Sequence, residues 1–173
     1  MPQTCHRPTV EEAAQFLCRL HGGVPSREWL TSLLYLSDRH HVLTYGHSLA
    51  DDRFASLNGM PMGVGTNRVV AVMSANRCGS VWELREIEHL SVAIEDTLKT
   101  VHTAYGHKTA EELDGILRGL PEAIEAGPFP YRQLGTHLGD PDPDSLHESM
   151  ETSRDLTWCF DDLRCRLQTP QAA

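Results

Sequence analysis

The sequence is short of positive charge. Its 15 Lys and Arg stand against 24 Asp and Glu, for a formal net charge of −9. Such a surface repels phosphate backbones, so nucleic acid is not the expected partner. It suits a basic protein partner, or it serves solubility alone. No apolar run approaches the roughly 20 residues that span a bilayer, and no membrane role is expected. The first residues, MPQTCHRPTVEEA, hold no apolar core and do not read as a secretory signal. Cys5, Cys18, Cys78, Cys159 and Cys165 are odd in number, irregularly spaced and without a C-x-x-C pair. Reduced thiols in a cytoplasmic protein are therefore expected. Gly-x-Gly-x-x-Gly, Walker-type and Gly-x-Ser-x-Gly signatures are all absent.

What remains is an ordinary globular composition: 173 residues, 40% hydrophobic and 23% charged. That length suits one domain with a tail and is enough for a real core. A first helix is expected from Thr9, where Thr9 and Glu12 form a T-x-x-E capping box. Val10, Ala13, Ala14, Leu17 and Leu20 follow it at helical spacing, and Gly22-Gly23 end it. A second helix is expected over Ser26–Tyr45, with Ser26 as N-cap and Gly46 just past its end. Trp29, Leu33, Leu36, His40 and Leu43 fall on one line, and Leu30 and Leu34 widen it. A stripe that broad marks a central helix packed on several neighbours.

The middle of the chain is less regular. Arg53–Leu57 alternates weakly, as a short strand does, while Asn58-Gly59 and Gly63 bracket a loop. Thr66–Met73 fits a helix or a strand, and Val81–Leu84 fits an edge strand. Helical spacing returns with Ile94, Leu98, Val101 and Tyr105, closed by Gly106. A second capping box, Thr109 with Glu112, opens a helix that Pro121 stops. Gly127–Pro130 reads as a break and Gly139–Asp144 (GDPDPD) as an exposed acidic linker. A last helix is expected over about Glu151–Leu167.

Several clusters invite a chemical reading. His40 and His41 are adjacent, so on a helix they point about 100° apart and cannot readily chelate one ion. His40, on the apolar line, reads as a buried, hydrogen-bonded histidine rather than a ligand or catalyst. Tyr35 and Arg39 lie one turn apart and can share an interface patch. Arg39 can equally pair with Asp51, Asp52 or another carboxylate to hold the following turn. Asp51 and Asp52 as a catalytic pair lack any companion motif. Asp140, Asp142, Asp144 and Glu151 match some EF-hand positions, but Ser145 stands where the loop needs glycine. Cys159 and Cys165, six apart, do not share a chelating face. No metal or cofactor is expected.

The segment LLYLSDRHHVLTYGHSLADDRFASLNGMP, Leu33–Pro61, resembles the signature of the Panacea-domain (SocA-like) antitoxin family, which reads roughly LLYLADRYH, then YG and L, then DRF and GPV. Leu33, Leu34, Tyr35, Leu36, Asp38, Arg39 and His41 carry the first part. Tyr45, Gly46, Leu49, Asp52, Arg53 and Phe54 carry the next. Ser37 and His40 replace alanine and tyrosine, and Met60-Pro61-Met62 stands where the family has Gly-Pro-Val. The resemblance extends over about Thr9–Ala126.

The resemblance implies an antitoxin that neutralises a cognate protein toxin by direct binding. In one branch it also serves as an adaptor that delivers the toxin to a cytoplasmic AAA+ protease. The expected partner-binding residues are Tyr35, Asp38, Arg39, Asp52 and Arg53. The expected fold is mainly α, a compact helical domain around a central buried helix with a small β element at about Arg53–Leu84. Residues 1–127 form the antitoxin-like domain, and 128–173 form an acidic linker and a C-terminal helix packed on it. The competing reading is a small cytoplasmic hydrolase using His40 or His41 with a nearby aspartate.

Overall fold

The computed structural model describes residues 8–23, 25–50, 52, 54–75, 87, 90–123, 127–129, 144, 148 and 152. The first helix, α1 (Pro8–His21), starts one residue before the expected cap. Proline suits a first helical position because its φ is preset and its missing N–H would have no partner there. Thr9 therefore lies inside the first turn instead of capping it. Val10, Ala13, Ala14, Leu17 and Cys18 turn inward, whereas Leu20, expected with them, is exposed near the helix end.

Helix α2 (Arg27–Tyr45) has the predicted ends. Ser26 Oγ accepts a hydrogen bond from the Trp29 amide at 3.1 Å, and Gly46 takes the left-handed conformation at φ 74°. Every residue from Ser32 to Asp38 is buried, so the helix is covered on all sides. The buried Ser37 hydroxyl donates to the Leu33 carbonyl at 2.7 Å, which satisfies it within the helix. The predicted apolar line does not hold to the end. His41, not His40, is the fully buried histidine, and Leu43 is 50% exposed. Neighbours cover only the first two thirds of that face.

Strands β1 (Phe54–Leu57) and β2 (Met60–Gly63) form a hairpin with Phe54 opposite Gly63 and Leu57 opposite Met60. Asn58 and Gly59 join them with φ of 54° and 75°. Two positive values match the tight turn whose twist suits a hairpin, and Asn-Gly is its preferred sequence. The expected loop at 58–63 is thus a turn and a strand. Arg118 Nη1 donates to the Asn58 carbonyl and braces this turn. A third strand, β3 (Gly127–Phe129), pairs antiparallel with the other side of β1, giving the order β2-β1-β3. The break expected at Gly127–Pro130 is in part this strand, which runs across the 127/128 boundary. Pro61 and Pro128 both stand on edge strands, where proline is tolerated.

Helix α3 (Val64–Ala75) follows β2 directly and decides the ambiguity at Thr66–Met73. Helix α4 (Val92–Tyr105) is capped by Ser91, and α5 (Ala110–Arg118) by the predicted Thr109–Glu112 box, with both reciprocal bonds formed. Pro121 ends the helical run by opening a 3-10 turn, Pro121–Ala123. Helix α2 packs against α1, α3, α4, α5 and β2, so the fold is mainly α, arranged around one central helix with a small sheet at its side. No described helix is long and apolar enough to cross a membrane. Val81–Leu84, residues 139–143, most of the expected last helix and every cysteine except the buried Cys18 lie outside the described residues.

Candidate functional site

The polar residues of the Leu33–Pro61 block form three internal ties. In the first, Asp38 lies near the middle of α2 and is only 3% exposed. Its carboxylate accepts from the Ser48 hydroxyl at 2.8 Å and from the backbone amides of Leu49 and Ala50. One carboxylate thereby organises the turn that follows α2, where no regular structure could satisfy those donors. Burial pushes the Asp38 pKa up to about 7, while the hydrogen bonds from Ser48 and Leu49 pull the other way.

The second tie is Asp52, 2% exposed. Its two oxygens accept from the amides of Gly65 at 2.8 Å and Thr66 at 2.6 Å. Both amides belong to the first turn of α3, which has no intrahelical partners for them and carries the positive end of the helix dipole. Asp52 thus caps α3 from a remote position in the sequence. Gly63 makes the approach possible: a Cβ there would stand 2.5 Å from Asp52 Oδ2.

The third tie joins α2 to the 3-10 turn. Tyr35 Oη donates to Glu122 Oε1 at 3.0 Å, and Arg39 Nε donates to the same oxygen at 2.7 Å. Glu122 is almost completely buried, and its Oε2 has no hydrogen-bond partner. Burial and the adjacent Glu122 charge raise the Tyr35 pKa, so the phenol stays protonated. The Tyr35 ring meets Phe54 edge-on at 5.6 Å. Such a contact contributes about 1 kcal/mol beyond its burial.

These positions revise the expected partner-binding set. Tyr35 (2% exposed), Asp38 and Asp52 are interior residues and present no surface to a partner. The polar atoms that made them look like contact residues are consumed inside. Only Arg39 of the described candidates reaches solvent, with its side chain 21% exposed. Arg53 and Asp51 lie outside the described residues. Arg39 takes the alternative foreseen for it, a carboxylate, but the carboxylate is Glu122. No sequence signal pointed to Glu122, because its partners are more than 80 residues away. Ser48, Gly63 and Thr97 were missed as well: their partners Asp38, Asp52 and His41 belong to other elements and meet them only in the fold.

His41 Nδ1 shares a 2.9 Å hydrogen bond with Thr97 Oγ1 of α4, and its ring lies 4.7 Å from that of His47. Burial, then the neighbouring His47 and His40, lowers its pKa to about 4, so the ring is neutral. His40 lies against Thr44. Among the described residues, neither histidine hydrogen-bonds or ion-pairs with a carboxylate, and no three His, Cys, Asp or Glu side chains are placed to hold a metal ion. The hydrolase reading therefore finds no histidine–aspartate pair here.

A small cleft opens elsewhere, between the first turns of α2, strand β2 and α5. Its volume is about 190 Å³. Thr31, Ser32, Met60, Met62 and Leu117 line it, and Arg27, Glu28 and Asn67 stand at its rim. Arg27 Nη2 donates to Asn67 Oδ1 at 2.8 Å across that rim. No family model, no curated protein and no solved structure matches the chain.

Proposed function

We propose that this protein is an antitoxin that neutralises a cognate protein toxin by direct binding, with delivery of the toxin to a cytoplasmic AAA+ protease as a second route. The likeness of Leu33–Pro61 to the Panacea-domain signature supports this. The observation that carries it is how the block is used. Tyr35, Asp38, Asp52 and Phe54 are all interior and tie α2 to the turn, the sheet and the next helix. A protein-binding module needs such a rigid frame, with its surface left free to meet the partner.

The surface supplies the two ingredients of a binding module. A net charge of −9 speeds encounter with a basic partner. At the end of α2, Arg39, Leu43 and Tyr45 reach solvent and offer arginine, aliphatic and aromatic contacts.

Co-expression with the protein encoded by the adjacent gene tests the reading, scored by growth and co-purification. A toxic neighbour rescued in a stable complex is the expected result. Rescue in which the neighbour disappears points to proteolytic delivery. A harmless neighbour that neither binds nor responds refutes the proposal. Substituting Arg39, Leu43 and Tyr45 together then tests the surface: rescue that survives the triple change places the contact elsewhere.

A further inference from the structure

The hairpin turn joins a reactive sequence to a guarded geometry. The asparagines of the chain are Asn58, Asn67 and Asn76, and Asn58 alone precedes a glycine. In that pair the following residue has no side chain to hinder its backbone nitrogen from reaching the asparagine Cγ. The Gly59 nitrogen gives up its proton and bonds Cγ, the bond from Cγ to the side-chain nitrogen breaks, and ammonia leaves. Water then opens the resulting succinimide at either carbonyl. One opening gives aspartate. The other gives isoaspartate, whose main chain runs through Cγ and is one carbon longer. Asn58 is exposed. Among the described residues neither its side-chain amide nor the Gly59 N–H has a hydrogen-bond partner, so both reacting groups are unengaged.

The backbone keeps them apart. Asn58 is the only non-glycine residue with positive φ among the described residues, at 54°. In the left-handed conformation the next nitrogen lies on the far side of the Cα–C bond from Cβ. Attack on Cγ therefore requires that bond to rotate and the turn to open. Arg118 of α5 opposes the rotation. Its Nη1 donates to the Asn58 carbonyl, the group that must swing, and its Nε is held by Asp114 at 2.7 Å. The same Nη1 would stand 3.5 Å from a Cβ on Gly59, so the guanidinium lies over the glycine as well.

We propose that Asn58 is a spontaneous modification site held in check by Arg118. While the brace stands, the asparagine persists. When the turn leaves α5, Asn58 converts to isoaspartate, and the added backbone carbon breaks the two-residue turn that sets Leu57 opposite Met60. The hairpin then cannot re-form, and Gly63 of β2 is no longer fixed beside the carboxylate that caps α3. One surface contact between α5 and the hairpin thereby sets the covalent lifetime of the fold. This does not rest on the antitoxin reading.

Ageing of the full chain at neutral pH tests it, with mass spectrometry of the Asn58 peptide and isoaspartate-specific carboxyl methylation as readouts. Folded wild type is expected to deamidate at Asn58 far more slowly than the same chain in urea. Arg118→Ala should speed the folded-state reaction about fivefold, the ratio one net hydrogen bond provides. Circular dichroism reports whether each variant is folded, and Arg118→Lys, which keeps the charge but not the reach, replaces an unfolded Arg118→Ala. Asn58→Gly suits a positive φ and should hold its urea midpoint on ageing while that of wild type falls. Equal rates for wild type folded and in urea, or an unchanged rate in the Arg118 variant, overturn the proposal. A slower rate in that variant overturns it too, because the guanidinium would then be assisting attack by stabilising the nitrogen anion. Equal midpoint losses in wild type and Asn58→Gly overturn the claim that isoaspartate blocks the hairpin.

Discussion

Arg39 and Glu122 are 83 residues apart in sequence and 2.7 Å apart in space. The pair anchors the 3-10 turn to the central helix, and Tyr35 donates to the same carboxylate oxygen. Glu122 is enclosed while Arg39 keeps one edge in solvent, so the carboxylate depends on the guanidinium for its charge to be tolerated.

Arg39→Ala should therefore destabilise the protein by about 3 kcal/mol, because it strands a buried charge. Adding Glu122→Gln should recover more than half of that loss, since a neutral amide needs no counter-charge. Urea unfolding of the three variants measures this. A single-variant loss below about 0.5 kcal/mol would show that the pair behaves as an exposed one.

Asp38→Ala removes the acceptor shared by Ser48, Leu49 and Ala50. The expected cost is about 3 kcal/mol, chiefly from the Leu49 amide and the Ser48 hydroxyl losing their acceptor, since the Ala50 amide also donates to Ser48 Oγ. Hydrogen exchange should quicken at the Leu49 and Ala50 amides well before the α2 core opens. Unchanged exchange at these two sites would contradict the tie.

Gly63 and Asp52 should behave as one unit. Gly63→Ala pushes a Cβ onto the carboxylate that caps α3 and should cost about 1–2 kcal/mol, comparable to losing a cap. On an Asp52→Ala background the same change should cost less than half as much. The double-mutant cycle is the measurement, and strict additivity would rule out the coupling.

Asp38 and His41 tilt stability with pH in opposite directions. The folded-state pKa of Asp38 is about 7 against an ordinary 3.8, so its contribution is full below about pH 4 and is lost as pH rises through 7. The folded-state pKa of His41 is about 4 against 6.5, so its contribution is full above 6.5 and is lost as pH falls through 4. Between pH 4 and 6.5 the two slopes oppose. Relative to wild type, Asp38→Asn should make stability rise more steeply with pH in that window. His41→Gln should make it fall. Urea midpoints across the window decide, and parallel profiles for all three proteins would refute both assignments.

Local signals were legible in the sequence. Ser26, Gly46 and the Thr109–Glu112 box stand at helix ends because their side-chain oxygens or free φ satisfy groups only a few residues away. The breadth of the α2 stripe announced a helix covered by several neighbours, as α2 is. Misreadings came where an outcome depended on distant atoms. Gly127–Phe129, expected as a break, became a strand by pairing with β1, and the open choice at Thr66–Met73 fell to helix with Asp52 reaching its first turn. His41 rather than His40 went inside because α4 brings Thr97 to it.

The sequence by itself determined the mainly helical class, both ends of α2, the close of α4, the start of α5 and the central place of α2. Each follows from spacing and caps that act within a turn or two of chain. Tertiary structure alone decided that Tyr35, Asp38 and Asp52 are interior ties rather than contact residues, and that Glu122 is the carboxylate Arg39 meets. A polar side chain reads the same in sequence whether its hydrogen bonds go to solvent, to a partner or to a backbone amide folded against it. Only the approach of that other segment, and the water it excludes, tells them apart.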